Sequence, residues 1–447
     1  MAFDLLITEV AAVVMDGRSA TVTDADLAIE RDRIAAVEPA GTIDPGRAAD
    51  VWAGEGLLAL PGFVNTHAHT AMTLFRGVAE DVTIERWFND HVWPMESNLT
   101  DDDVYWGALL GLAEMIEAGV TTVADHYFSM DAVARAVEEA GTRAVLAPGI
   151  FGTGPDPEAE IDEATRVVER WQGAAGGRVT VWLGPHSPYL CPRSVLEAVA
   201  ARARDLGVGT HIHVSETADQ VTASRREHGK TPIEVLAAAG LFASPTLCAH
   251  AAWATAEDVA RLAAEGASVA HCPKTSMKLA LGAAPVVALR EAGVAVGLGT
   301  DGPASNNTLD ILEAMRLAAL LHKHTHVDPE GLSVDEVVAM GSAEGARALR
   351  LGDVGALAAG QRADVVLIRT DGVHVQPRHN PLANLVYSAR ATDVDTVLCD
   401  GRVLMRHRQL LTLDKAAIVA EVAGRVDRLR RPVPGQRVAS YPDDAGA

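Results

Sequence analysis

"LLALPGFVNTHAHT", residues 57–70, decides how the rest of the chain is read. An apolar run of strand length ends in two histidines one residue apart, His67 and His69. Strand residues two apart project to the same side, so both imidazoles can face one ion. Working outward, seven further apolar runs have the same form: "VTTVADHY", "RAVLAPGI", "VTVWLGPHS", "GTHIHVSE", "PTLCAHAAW", "ASVAHCPK" and "VAVGLGTDG". Between them lie helix patterns such as "DDDVYWGALLGLAEMIEAG", residues 101–119, with an acidic first turn and a closing glycine. Strand and helix alternate from about residue 58 to about residue 355, which predicts an α/β chain folded as a (β/α)8 (TIM) barrel.

The flanks read differently. Residues 1–57 carry short β-rich runs, "DLLITEVAAVV" and "DLAIERDRIAAVEP", cut by Gly, Asp and Pro. Residues 356–447 return to that pattern in "ADVVLIRT" and "DTVLCDGRVLMRHRQL". A small β domain completed from both ends is expected, with a mobile tail at "GQRVASYPDDAGA".

Composition narrows the function. The 447 residues hold 60 acidic against 38 basic side chains, a formal charge of −22 that repels nucleic acid and anionic lipid. The four cysteines are scattered without a CxxC, as in a reducing cytosol. The first residues read as a strand rather than a leader, and no apolar run is long enough to span a membrane, so a cytoplasmic protein is expected. A homo-oligomer is expected only on general grounds. There is no G-x-S-x-G, H-E-x-x-H or dinucleotide fingerprint, and "GTGPDP" at 152–157 lacks the Lys-Ser/Thr of a phosphate loop.

Polar residues with chemical potential gather at the ends of the expected strands: His67, His69, His186, His213, Glu216, His250, His271 and Asp301. In a barrel of this kind that end is the active face. His67, His69, His213 and Asp301 make a plausible four-ligand set with room for water. In "HIHVSET" the spacing does not choose between His211 and His213, and one of them is a packed core histidine. Glu216 is a candidate acid/base, and His250 is either its partner or a core imidazole. "LHKHTH", with His322, His324 and His326, reads as the solvated end of an amphipathic helix.

With these residues in place, the chain resembles the amidohydrolase superfamily and, within it, the methylthioadenosine/S-adenosylhomocysteine deaminases. The resemblance rests on "PGFVNTHAHTAMTLFRGVAEDVTIERWFNDHVWPMES", "GPHSPYLC", "HIHVSET", "CAH", "HCPKTSMKLALG" and "LGTDGPASNNTLDILEAMRLAALLHK" and covers nearly the whole length. It implies a barrel with a β-sandwich assembled from both termini. It implies one divalent metal, zinc before iron, manganese or cobalt, on His67, His69, His213 and Asp301. It implies Glu216 and His250 as acid/base groups, Glu96 for the ribose hydroxyls, His186 against the nucleoside and Trp87 at the substrate mouth. The implied reaction is hydrolytic deamination of an adenosine-type nucleoside to a 6-oxo purine. The cation activates water, Asp301 takes its proton, His250 orients it and Glu216 protonates the ring nitrogen beside the carbon attacked.

Two departures bear on the substrate. Relatives that accept S-adenosylhomocysteine hold its carboxylate with arginines after the third strand. Here residues 144–165 contain no Lys or Arg and five acidic residues, which favours adenosine, 5′-deoxyadenosine or methylthioadenosine. In "HCPKTSMKL", Lys274 and Lys278 bring positive charge toward the barrel mouth, where a surface position is the simpler reading, and His271 receives no role beyond support. Competing readings are a hydrolase of another amino- or chloro-azaheterocycle, such as a pterin, a guanine-type base or an s-triazine, and, more remotely, a metal-free scaffold barrel.

Overall fold

The computed structural model describes residues 2–154 and 156–431. The tail expected at 435–447 lies outside them. Strands from both ends of the chain form one nine-stranded sheet. Its seam is Leu57–Pro61, which runs parallel to the first strand, Phe3–Asp16, and antiparallel to Val365–Arg369. Alternation along the last of these divides two cores. Val365 and Leu367 join Leu5, Ile7 and Leu27 on one face, while Val366 and Ile368 join Leu58, Leu60 and Phe63 against the barrel.

The expected strand at 57–67 is therefore two strands. Gly62 donates its N–H to Asp364 in the terminal sheet, and the next residue, Phe63, donates to Gly119 beneath the barrel. A Cβ at residue 62 would meet Thr121 Oγ1 at 2.1 Å, so only glycine lets the chain cross there. A continuous apolar run cannot show such a change of sheet, because both halves are buried.

The barrel strands are β1 (Phe63–Ala68), β2 (Val120–Tyr127), β3 (Arg143–Ile150), β4 (Val179–Val181 and Gly184–Pro185), β5 (Thr210–Val214), β6 (Thr246–His250), β7 (Ser268–His271) and β8 (Ala295–Leu298). All pair in parallel. Two seams close the ring, and both run through candidate site residues. His213 N–H donates to the His186 carbonyl at 3.0 Å between β5 and the end of β4. Asp301 N–H donates to the His67 carbonyl at 2.9 Å between the end of β8 and β1. Closing the barrel thus sets the four residues side by side.

Helix α1 (Asp101–Glu117) follows the expected pattern: Thr100 and Asp103 form a capping box, and Gly119, at φ 86°, turns the chain into β2. Beneath the barrel, buried Arg143 at the start of β3 pairs with Asp364 at 3.2 Å and Asp400 at 2.5 Å from the terminal sheet. Removing the guanidinium leaves buried Asp364 without its counter-charge and Asp400 with Arg362 alone, 3.5 Å away. Arg143→Ala is expected to destabilise the chain by about 3–5 kcal/mol, read as a lower thermal midpoint.

Candidate active site

At three strand ends the backbone is left-handed without glycine, at Ser215 (φ 49°), at His250 (φ 72°) with Ala251 (φ 49°), and at Asp301 (φ 62°). Such conformations carry strain and persist where the surroundings fix them. Here the fixing contacts are Ala251 N–H to the Val214 carbonyl and the Asp301–His67 bond.

The imidazoles of His67, His69 and His213 lie within one group of possible ligand atoms, and His67, His250 and Asp301 form a second that shares His67. His67 Nε2 and His69 Nε2 stand 3.5 and 3.2 Å from Asp301 Oδ1, and His213 Nε2 stands 3.3 Å from His69 Nε2. The far side of each ring is anchored. His69 Nδ1 donates to the His126 carbonyl at 2.5 Å and His213 Nδ1 to the His186 carbonyl at 2.8 Å. A carbonyl can only accept, so both rings carry their proton on Nδ1 and turn their Nε2 lone pairs toward each other. His67 Nδ1 meets His211 Nε2 at 2.8 Å, and His67 Nε2 is buried without a hydrogen-bond partner. Three converging lone pairs beside a carboxylate repel one another unless a cation lies among them.

Electrostatics agree. Burial pushes His67 down to about 3 and His213 well below the ordinary imidazole range, so both stay neutral. Burial also lowers His69, but the Asp301 carboxylate outweighs it and lifts the ring to about 9, so a proton on Nε2 can stand where a cation would and positive charge is drawn to this point. These residues fit a divalent cation. Ser305 Oγ and Gly302 N–H donate to Asp301, each at 2.8 Å, and fix its carboxylate. His211 supports His67 from behind, so the geometry separates the two histidines of "HIH".

A cavity opens over this cluster, lined among others by Trp87, Glu96, His186, Glu216 and His250. Glu216 accepts from Tyr189 Oη at 3.2 Å and Gln220 Nε2 at 3.4 Å, and its other oxygen lies 3.7 Å from His250 Nε2. Trp87 and Glu96 come from a helical segment after β1 that loosens into a π-helical stretch at Trp87–Val92, the kind of irregularity that redirects side chains at sites. Glu96 is buried and accepts from Tyr127 Oη at 2.6 Å. Burial raises its carboxyl to about 7 against the pull of that donor. All nine expected site residues therefore converge, eight on the cavity wall and His67 behind them.

The sequence reading missed His126 and Tyr127, which end β2 as "DHY". His126 lines the cavity, donates from Nε2 to the Gly184 carbonyl at 3.0 Å, and packs edge-on against His213 with centroids 5.0 Å apart. Its position at a strand end carried the same signal as the other histidines.

The reading of "LHKHTH" as wholly solvated is corrected. In the helix Ile311–His326 the buried stripe Ile311, Met315, Ala318 continues to His322, whose Nε2 lies 3.3 Å from His271 Nε2. His324 and His326 are exposed as expected. His271 thus belongs to a buried pair away from the cavity wall. Lys274 pairs with Glu313 at 2.8 Å and Lys278 with Glu80 at 2.7 Å. Both are half-buried and their charge is directed away from the cavity.

A closed parallel barrel with three imidazoles, a carboxylate and a glutamate–histidine pair at the carboxyl ends of its strands has the arrangement of a metal-dependent hydrolase. The chain belongs to the Amidohydrolase family, whose profile matches residues 58–404. It is 46% identical over 430 residues, 95% of this chain and 99% of the relative, to a 5-methylthioadenosine/S-adenosylhomocysteine deaminase of Pelotomaculum thermopropionicum. It is 46% identical over 393 residues, 88% of this chain and 91% of the relative, to a 5′-deoxyadenosine deaminase of Methanothermobacter thermautotrophicus. Among solved structures, a zinc-bound adenosine deaminase from Xanthomonas campestris superimposes with a TM-score of 0.91 at 31% identity, covering 96% of this chain and 99% of that one.

Proposed function

We propose that this chain hydrolytically deaminates adenosine-type nucleosides to the 6-oxo purine and ammonia, using one divalent cation, zinc, per subunit. The observation that carries this reading is the meeting, in one cavity, of a cation cluster, the Glu216–His250 pair and the buried Glu96–Tyr127 pair. The names of the relatives and the zinc-bound neighbour support it.

His67, His69, His213 and Asp301 would hold the cation. Bound there, it supplies hydroxide at neutral pH by lowering the pKa of water from about 15.7 toward about 7. Asp301, held by Ser305 and Gly302, accepts the proton that water loses. His250 orients the attacking oxygen from across Glu216. Glu216 gives a proton to the ring nitrogen next to C6, so that charge does not accumulate there as the carbon becomes tetrahedral. Return of a proton to the amino group lets ammonia leave. Glu96 receives the ribose hydroxyls, His186 flanks the nucleoside and Trp87 closes the mouth.

Among the described residues lining the cavity there is no lysine or arginine, which supports neutral adenosines over S-adenosylhomocysteine. A free base or s-triazine has no ribose for Glu96 to hold, so this second class is disfavoured. Ammonia release from the zinc-loaded protein on adenosine, 5′-deoxyadenosine, methylthioadenosine, guanine and an aminopterin tests the choice. Turnover confined to the nucleosides is expected, and turnover confined to free bases would sink the reading.

Glu96→Ala is expected to raise KM for nucleosides by roughly tenfold to a hundredfold while leaving the inhibition constant of adenine nearly unmoved, and equal effects would contradict the ribose contact. The carboxylate is the accepting form, so nucleoside KM should be lowest above about pH 7 and rise as pH falls through it.

No described helix is long and apolar enough to cross a membrane. A cytoplasmic location is the reading supported by four buried, unpaired cysteines. Residues 58–355 are proposed as the catalytic domain, with 1–57 and 356–447 supplying the β domain, and a homo-oligomer is proposed on general grounds.

A further inference from the structure

Phe128 and Phe151 follow the ends of neighbouring strands β2 and β3 and stack nearly parallel, at 8° with centroids 5.6 Å apart. Phe151 also lies on the His186 ring at 4.6 Å, and Phe128 adjoins Tyr127 at 5.0 Å. The pair thus forms an apolar wall between Tyr127, which holds Glu96, and His186. These are the groups assigned to the sugar and its base, so the wall borders the path of whatever extends from the 5′ carbon.

The wall is held from behind. Glu160 Oε2 accepts from both Phe151 N–H at 2.8 Å and Gly152 N–H at 2.9 Å. Gly152 sits at φ +67°, and a Cβ there would meet Val195 Cγ2 at 2.6 Å. Residue 152 must therefore be glycine, and Glu160 ties the backbone at Phe151 and Gly152. The other carboxylates of this segment face elsewhere: Glu158 and Asp162 pair with Arg202, Glu163 with Arg166, and Asp156 caps the helix that follows. The repulsion of an acidic tail expected from the sequence is thereby replaced by a different cause, an apolar wall that offers a charged group no partner.

We infer that the Phe128–Phe151 wall, positioned by Glu160, selects the 5′ substituent. It favours a methylthio group or hydrogen over hydroxyl, and all three over a zwitterionic amino-acid tail. A thioether gains from contact with aromatic rings, whereas a hydroxyl or carboxylate there loses water without a new partner. This inference rests on the deaminase reading above.

The test is kcat and KM on methylthioadenosine, 5′-deoxyadenosine, adenosine and S-adenosylhomocysteine for the zinc-loaded wild type and for Phe151→Ala, Phe128→Ala, Glu160→Ala and Glu160→Gln. Wild-type kcat/KM should favour methylthioadenosine over S-adenosylhomocysteine by about a hundredfold or more. Each phenylalanine variant should cut the methylthioadenosine-to-adenosine ratio by about tenfold, chiefly through KM. Glu160→Ala should do the same, and Glu160→Gln, which keeps an acceptor oxygen, should restore most of the ratio. Equal wild-type turnover of methylthioadenosine and S-adenosylhomocysteine, or a ratio unmoved in both phenylalanine variants, would overturn the wall. Failure of the wild type on every nucleoside would instead overturn the deaminase reading on which it stands.

Discussion

Glu216→Gln is expected to purify with its metal and to turn over adenosine-type nucleosides roughly 10³-fold more slowly, with KM little changed. The substitution keeps the shape of the side chain and an oxygen for Tyr189 Oη to donate to. It leaves the three imidazoles and Asp301 untouched, because Glu216 is outside both groups of possible ligand atoms. It removes the group proposed to protonate the ring nitrogen, whose Oε1 lies 3.7 Å from His250 Nε2. Loss of a positioned general acid costs on the order of 10²–10⁴ in rate, and the isosteric change isolates that term from binding. Metal analysis beside steady-state kinetics reads both halves. Near-full activity would remove Glu216 from the proton path, and loss of metal would place it in the cation site.

His67→Ala is expected to give the opposite pairing, with metal and activity lost together. His67 is fully buried between His211 and Asp301, and its Nε2 belongs to both groups of possible ligand atoms. Without it the remaining lone pairs of His69 and His213 no longer enclose an ion, and hydroxide at neutral pH is lost with the cation, a fall of roughly 10⁴-fold or more. Added zinc should not restore the rate. A variant that keeps stoichiometric zinc would show that His250 can replace His67 in the set.

The two variants also show which parts of the site were readable from sequence. His67 and His69 were legible because a strand has period two, and Asp301 because it ends an apolar run that had to be a barrel strand, whereas spacing left His211 and His213 open and only the resemblance chose His213. Glu96 was not legible from pattern. It lies in a helical segment with a π-helical stretch, where no simple period relates it to the cavity, and only the resemblance pointed to it. Tyr127 shows a different limit, since its role depends on Glu96 coming from another part of the chain to meet its hydroxyl. The Phe128–Phe151 stack likewise joins two strands, and sequence spacing says nothing of such a contact. Gly62 and His322 were misread for a shared reason. Both lie inside patterns that look continuous, an apolar run and a helical stripe, and it takes the backbone hydrogen bonds to place the first and burial to place the second.

On the proposed function, water replaces the 6-amino group under the control of this cavity. The measurement that tests it most directly is mass analysis of the purine formed from 5′-deoxyadenosine by the zinc-loaded protein in ¹⁸O-labelled water. One labelled oxygen at the 6 position, with one ammonia released per product and none formed by His67→Ala, is the predicted result. Unchanged 5′-deoxyadenosine, or a product altered anywhere other than the 6 position, would contradict it.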